Sequence, residues 1–259
     1  MIGFQLGGVA AIAQRDVLKL LRDRARLAVN LAFPVLLIAG LGSVLGPTVG
    51  KVTGLNSVTL AFTGVLPASL FQSVAAGMIS IVEDRETDFA RVLFVTPISR
   101  FALIAGKVGG ESLVALVQAG FVVVLAAVFG VPVRFSMVFV VVLLACCLCG
   151  AGFGLVTVAA LPNQRSAMQV FQFLIIPQYL LAGVLVPLRG VSAWLGVVSA
   201  AMPLRYLVDL TRAVYYSGTS SYGEAVTGAL VGDVVLVVGF TAVFLLCGGL
   251  LFSYRERSR

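Results

Sequence analysis

Apolar residues run through this chain in six long stretches, at positions 27–45, 58–82, 112–131, 135–161, 167–186 and 230–252. Each comes close to the roughly 20 residues that a helix needs to cross a bilayer core. The pattern therefore predicts an all-α membrane protein with six transmembrane helices. Pro34 lies near the start of the first stretch, and Pro67 and Pro177 lie inside the second and fifth. Proline is tolerated in a membrane helix where neighbours satisfy the freed carbonyl. Residues 1–26 carry a different pattern. Arg15, Lys19, Arg22 and Arg26 are spaced for one helix face, with Val9, Ala13, Val17 and Leu20 or Leu21 on the opposite face. That spacing predicts an amphipathic helix at the cytoplasmic interface, attracted to anionic lipid. The first positive charge is Arg15, so the segment lacks the basic start of a signal peptide. The chain divides into an interface helix at 1–26 and a transmembrane domain at 27–259.

Two connections carry a pattern of their own. Between the second and third stretches, Glu83-Asp84-Arg85-Glu86-Thr87-Asp88 opens the longest charged segment. It turns into a short amphipathic run with Phe89, Val92 and Leu93 at helical spacing. Thr87 or Asp88 can cap that run, and Thr96-Pro97 ends it, because proline pushes the preceding residue out of the helical region. Ser99 can cap the next helix. The reading is helix, stop, helix, lying across a membrane surface; a solvated connector is the plainer one. Between the fifth and sixth stretches, residues 191–202 are apolar but too short to span. Leu204, Leu207, Val208 and Thr211 then share one face of a second short helix. Trp194, Tyr206, Tyr215 and Tyr216 suit a membrane interface. The expectation is a pair of short re-entrant helices dipping into the outer leaflet.

Composition sharpens the class. The chain is 60% hydrophobic and 11% charged, against about a quarter charged in soluble domains. Its mean hydropathy is +1.09. The net charge of +7 is not a nucleic-acid signal, because the basic residues sit at the edges of the apolar stretches. With both termini in the cytoplasm, thirteen basic residues fall inside: Arg15, Lys19, Arg22, Arg24, Arg26, Arg85, Arg91, Arg100, Lys107, Arg165, Arg255, Arg257 and Arg259. Five fall outside: Lys51, Arg134, Arg189, Arg205 and Arg212. The positive-inside rule selects that orientation. Cys146, Cys147, Cys149 and Cys247 all lie in apolar runs and there is no His, so they read as small buried residues, not a metal site or a disulfide framework.

Enzyme chemistry is hard to find. Gly46-Pro47-Thr48-Val49-Gly50-Lys51 imitates a phosphate-binding loop, but has one residue too few between its glycines and Val52 after the lysine. Without such a loop the chain is not expected to hydrolyse ATP by itself. No nucleophile or acidic pair has a plausible partner. The apolar stretches are nearly free of charge, with Glu111 and Asp233 near predicted helix ends. An ion-coupled carrier usually keeps such groups near the midplane. Neutral polar residues do lie inside. Thr63, Gln72 and Ser73 in the second stretch, and Gln169, Gln172 and Tyr179 in the fifth, make partly polar sides. They read either as a translocation surface or as helix–helix packing. Gly150, Gly152 and Gly154 in the fourth read as packing glycines.

The charged segment, the amphipathic turn ending in Thr96-Pro97-Ile98-Ser99-Arg100, and Gly106-Lys107 leading into a membrane helix together resemble the permease subunits of ABC-2 type exporters, the daunorubicin-resistance permeases in particular. Met202-Pro203-Leu204-Arg205-Tyr206 resembles that family's recurring Pro-Leu-aromatic stretch in its outer re-entrant element. The resemblance implies that residues 83–100 form a coupling helix docking on a separate ATPase subunit. Glu83, Arg85, Glu86, Phe89, Arg91, Leu93 and Thr96 are its coupling residues. It implies that residues 1–26 form the connecting helix beside that ATPase, and that the second and fifth helices line the path. It further implies a second permease, identical or related, with ATP and Mg held by the partner and no cofactor in this chain. The cargo would be apolar or amphipathic: a drug, a lipid or a lipid-linked glycan. The rival readings are a secondary, ion-coupled carrier and a non-transporting membrane assembly factor.

Overall fold

The computed structural model describes residues 24–44, 54–86, 100–134, 136–161, 163–188 and 192–257, together with Gln14 and Leu18. These residues are helical throughout, apart from turns. The helices are α1 (Arg24–Val44), α2 (Ser57–Glu86), α3 (Arg100–Val128), α4 (Met137–Ala160), α5 (Gln164–Leu181), α6 (Ala193–Ala200), α7 (Pro203–Tyr215), α8 (Tyr222–Ala225) and α9 (Leu230–Arg257). Local chemistry sets several starts. The Asn56 side chain accepts from the Val58 and Thr59 amides to open α2. Ser136 does the same for α4 through Phe139, and Asn163 for α5 through Ser166. Such caps contribute about 1 kcal/mol each. Pro203 opens α7, where its missing N–H costs nothing.

Among the described residues, four helices are long and apolar enough to cross a membrane: α2 over Ser57–Ile81, α3 over Ile104–Val128, α4, and α9 over Leu230–Leu251. Helices α6 and α7, bent by 88°, form either one broken span or a re-entrant loop. This is the place where the sequence predicts two short re-entrant helices. Helices α1 and α5 stand at the first and fifth predicted positions; the apolar part of α1 is Leu31–Gly40, and α5 carries four glutamines and an arginine among its 18 residues. Of the predicted interface helix at 1–26, only its last three residues, as the start of α1, and Gln14 and Leu18 are described.

Helix α2 is the centre of the bundle. It is enclosed by α1, α3, α4, α5 and α7, while α4 also packs along α9. Close approach is made possible by glycine. A methyl group at Gly150 on α4 would lie 2.5 Å from the Phe71 carbonyl oxygen of α2, and one at Gly154 would overlap the Ala75 carbonyl. Gly152 points the other way, where a methyl would come 2.8 Å from Phe244 Cβ of α9. Small residues that let backbones meet are the currency of helix association in lipid. The three α4 glycines are thus packing residues, as their spacing suggests. Cys146, Cys147 and Cys149 are buried in the same helix, and all four cysteines are free.

Two boundaries differ from the pattern. Helix α3 starts at Arg100, where the Ser99 cap predicts it, but its candidate span opens at Ile104 and not at 112, so Lys107 and Glu111 lie inside it. Helix α5 stops at Leu181, short of 186, and the chain turns at Gly183 with φ of 69°, a left-handed conformation that other residues rarely adopt.

Candidate functional site

Helices α1, α2 and α5 meet at one polar contact. The Tyr179 hydroxyl donates to Gln72 Oε1 at 2.6 Å, and the Phe33 ring stands edge-on to Tyr179 with centroids 5.7 Å apart. Ser73, the next residue on α2, turns to α3, and its hydroxyl donates to Gln118 Oε1 at 3.0 Å. Thr63 is fully buried and donates to the Leu60 carbonyl of its own helix. Ser69 and Ser80 use their hydroxyls in the same way. The polar side of α2 is therefore largely turned inward, with Gln72 as its link to α5.

Helix α5 has two faces. Phe171, Ile175 and Gln178 are buried against the bundle. Gln169, Gln172, Phe173, Ile176 and Leu180 form an exposed stripe on the other side. Of the six path candidates, the structure brings Gln72 and Tyr179 together. It places Gln169 and Gln172 on the open stripe, and it directs Ser73 toward α3 and Thr63 into the interior.

Charge does enter the bundle near the start of α3. Lys107 Nζ lies 3.0 Å from Glu111 Oε1, one helical turn away, and both side chains are buried. Both fall within the candidate span of α3. The Glu111 carboxylate rests over Gly77 of α2, where a methyl group would overlap it. Both lie near the start of that span, and each neutralises the other, so neither charge is buried unpaired. The sequence pattern missed the pair because Lys107 counted as a cytoplasmic basic residue and Glu111 as a helix end. The signal was the four-residue spacing of opposite charges in an apolar run.

A second buried polar group ties the end of α5 to α6 and α7. Arg212 is 1% exposed, and its Nη2 donates to the carbonyls of Gly183 at 2.8 Å and Val184 at 3.3 Å. Ser199 donates to the Leu181 carbonyl at 2.6 Å and accepts from Arg205 Nη1 at 3.1 Å. The carbonyls that a helix leaves unsatisfied at its C-terminus are thus met by side chains from the neighbouring hook. The Thr227 hydroxyl donates to buried Asp209, and the Tyr215 hydroxyl donates to the Pro132 carbonyl at 2.6 Å. The expected apolar face of α7, Leu204, Leu207, Val208 and Thr211, is fully buried. The remainder of α7 differs from a surface helix: Asp209 and Arg212 are buried as well. Arg212 therefore does not stand among water-facing basic residues, because the broken end of α5 supplies it with acceptors.

The coupling residues Phe89, Arg91, Leu93 and Thr96 lie outside the described residues, as do the side chains of Glu83, Arg85 and Glu86 at the end of α2. Helix α2 itself continues through Glu86.

Comparison with known proteins settles the family. Residues 8–216 match the family described as ABC-2 type transporter. Nodulation protein J of Neorhizobium galegae is 24% identical over 230 residues, covering 86% of this chain and 82% of that protein. The probable multidrug ABC transporter permease YbhR of Escherichia coli K12 is 27% identical over 145 residues, 55% of this chain and 39% of that protein. The putative transport permease ycf38 of Cyanophora paradoxa is 22% identical over 210 residues, 79% of this chain and 72% of that protein. The family match runs from α1 through α7, over both the Gln72–Tyr179 contact and the Arg212 hook, and the chain belongs to the ABC-2 type transporter family: it is a multi-pass bacterial membrane protein and a transmembrane permease of an ABC transporter.

Proposed function

We propose that this chain is the permease subunit of an ATP-driven exporter that moves an apolar or amphipathic cargo outward. The observation that carries the reading is the open stripe of α5. A helix with Gln169 and Gln172 exposed beside Phe173, Ile176 and Leu180 is poorly suited to lipid and well suited to a path or to a second permease. Two permeases would place this stripe, and the adjoining Gln72–Tyr179 contact, about a central route. The basic residues put the hook of α6 and α7 at the outer face, with both termini inside. ATP and Mg belong to a separate ATPase subunit, since no phosphate-binding loop is present in this sequence. Residues 83–100 dock on that subunit. A drug, a lipid or a lipid-linked glycan fits the route; the likeness to YbhR, a probable multidrug permease, favours the first.

A coupling segment needs an apolar side that enters a cleft on the ATPase and charged ends that orient it. Phe89 and Leu93 are one turn apart and share a face. Large apolar side chains buried at the centre of an interface carry much of its free energy, and charged rims contribute more to orientation. Phe89→Ala should release the ATPase or uncouple it from transport more severely than Arg91→Ala. ATPase co-purification and cargo export by both variants measure this. Unchanged binding and export in the Phe89 variant would reduce the segment to a connector. Export that persists after ATP depletion would favour an ion-coupled carrier, the reading that the buried Lys107–Glu111 pair keeps in play.

A further inference from the structure

We propose that Asp209 on α7, Asp233 on α9 and the Thr227–Gly228 turn between them form a binding site for a hard cation, calcium in particular, which ties the hook of α6 and α7 to the spanning helix α9. The two carboxylates meet consecutive residues. Asp209 accepts the Thr227 hydroxyl, and both Asp233 oxygens lie 2.6 Å from the point where a Cβ on Gly228 would stand. They are near enough to act on one another's charge. Asp209 is 3% exposed and Asp233 4%. Asp233 Oδ2 is buried without a hydrogen-bond partner. Among the described residues, the Thr227 hydroxyl is the one donor that the pair receives, and neither carboxylate makes an ion pair.

The neighbouring arginines do not answer this charge. Arg205 and Arg212 share α7 with Asp209, but Arg205 donates to Ser199, and Arg212 to the carbonyls of Gly183 and Val184. The N-terminal dipole of α9 favours a carboxylate in its first turn, where Asp233 lies. That gain is smaller than the cost of burying a charge unpaired. A positive group from outside the chain removes the cost. Every donor on offer is oxygen: two carboxylates, and a threonine hydroxyl that keeps its lone pairs after giving up its proton. Calcium takes six to eight oxygens in flexible geometry, with water to complete the shell, whereas magnesium demands a near-ideal octahedron. The approach is open, because Gly228 and Ala229 are exposed and Thr227 is half-buried. Two carboxylates place the expected Kd at about 10⁻⁴–10⁻³ M, as in extracellular calcium modules. Entry of the ion from the outer side rests on the proposed orientation; binding does not.

The test uses the purified full chain in detergent, stripped of divalent ions by a chelator. Calcium at about ten times that Kd should raise the melting temperature by about 3 °C. Asp233→Asn should lose this shift, while melting in chelator no lower than the parent, since it removes an unpaired buried charge. No shift in the parent overturns the proposal. So does a shift that survives Asp233→Asn, or one that sodium at matched ionic strength reproduces. Terbium, a calcium substitute, gives a second readout that does not depend on the folding of that variant. Tyr206, one turn before Asp209, lies within reach of both carboxylates, so bound terbium should luminesce on tyrosine excitation. Calcium should compete the signal away, and Tyr206→Phe should remove most of it. A signal indifferent to calcium or to Tyr206 overturns the site. Neither measurement needs an ATPase or a cargo, so the site stands or falls apart from the exporter reading.

Discussion

Helices α2 and α9 are both long enough and apolar enough to cross a membrane, yet they occupy opposite environments. Helix α2 lies within five neighbours and is buried almost throughout; α9 leaves Val231, Val235, Val238, Val243, Leu246 and Leu250 exposed. The helix with more hydroxyls and amides is the buried one. In water the reverse would hold, because apolar surface is what burial removes from solvent. In a bilayer, lipid tails receive valine and leucine as well as a protein interior does. The inner position goes to the helix whose small and hydrogen-bonding residues pack closely against others. Thr63, Ser69 and Ser80 meet that demand by returning their hydroxyls to their own backbone, and Gln72 and Ser73 by reaching α5 and α3.

The comparison can be broken most sharply at glycine. Gly150→Leu on α4 forces a side chain into the Phe71 backbone of α2, whereas Gly239→Leu on α9 starts at an exposed position where an added Cβ meets nothing within 4 Å. The first should cost more than about 3 kcal/mol and abolish assembly, and the second should stay within about 0.5 kcal/mol. Thermal denaturation and yield of the detergent-purified variants report both. Equal stability would mean that α2 and α4 are not in backbone contact.

A smaller effect is expected at the hook. Arg212→Met keeps the bulk and removes the donors to Gly183 and Val184, which should cost about 2 kcal/mol. Val235→Met on the bare face of α9 is the matched control and should leave the melting temperature in place. If both melt as the parent does, the end of α5 is held by something other than the guanidinium.

The smallest effect lies on α5. Tyr179→Phe loses one hydrogen bond to Gln72, worth about 1 kcal/mol. Gln172→Leu touches an open face and should leave stability unchanged while altering which cargo is preferred. Dye-efflux competition with a panel of amphipathic compounds measures the preference. A drop in complex yield with unaltered preference would assign Gln172 to packing.

Much of this was legible from residue spacing. The buried face of α7 follows from Leu204, Leu207, Val208 and Thr211, and the role of the α4 glycines follows from their placement in an apolar run. The helix start at Arg100 was legible from Ser99, but the start of its apolar span at Ile104 was hidden, because a lysine and a glutamate look like the edge of a membrane segment. Only their pairing across one turn makes them compatible with its interior. Arg212 was hidden for a different reason. Its acceptors arise from the break after α5, which no local pattern around Arg212 announces. The Gln72–Tyr179 contact joins residues 107 positions apart, so spacing could propose each partner but not the bond.

The glycines of α4 have one more consequence. Gly150 and Gly154 thin the helix toward α2, and Gly152 thins it toward α9, all within about two turns near its middle. Helix α4 is therefore pressed against the backbones of both neighbours at once, so a larger side chain at any of the three positions relieves one contact only by crowding the other.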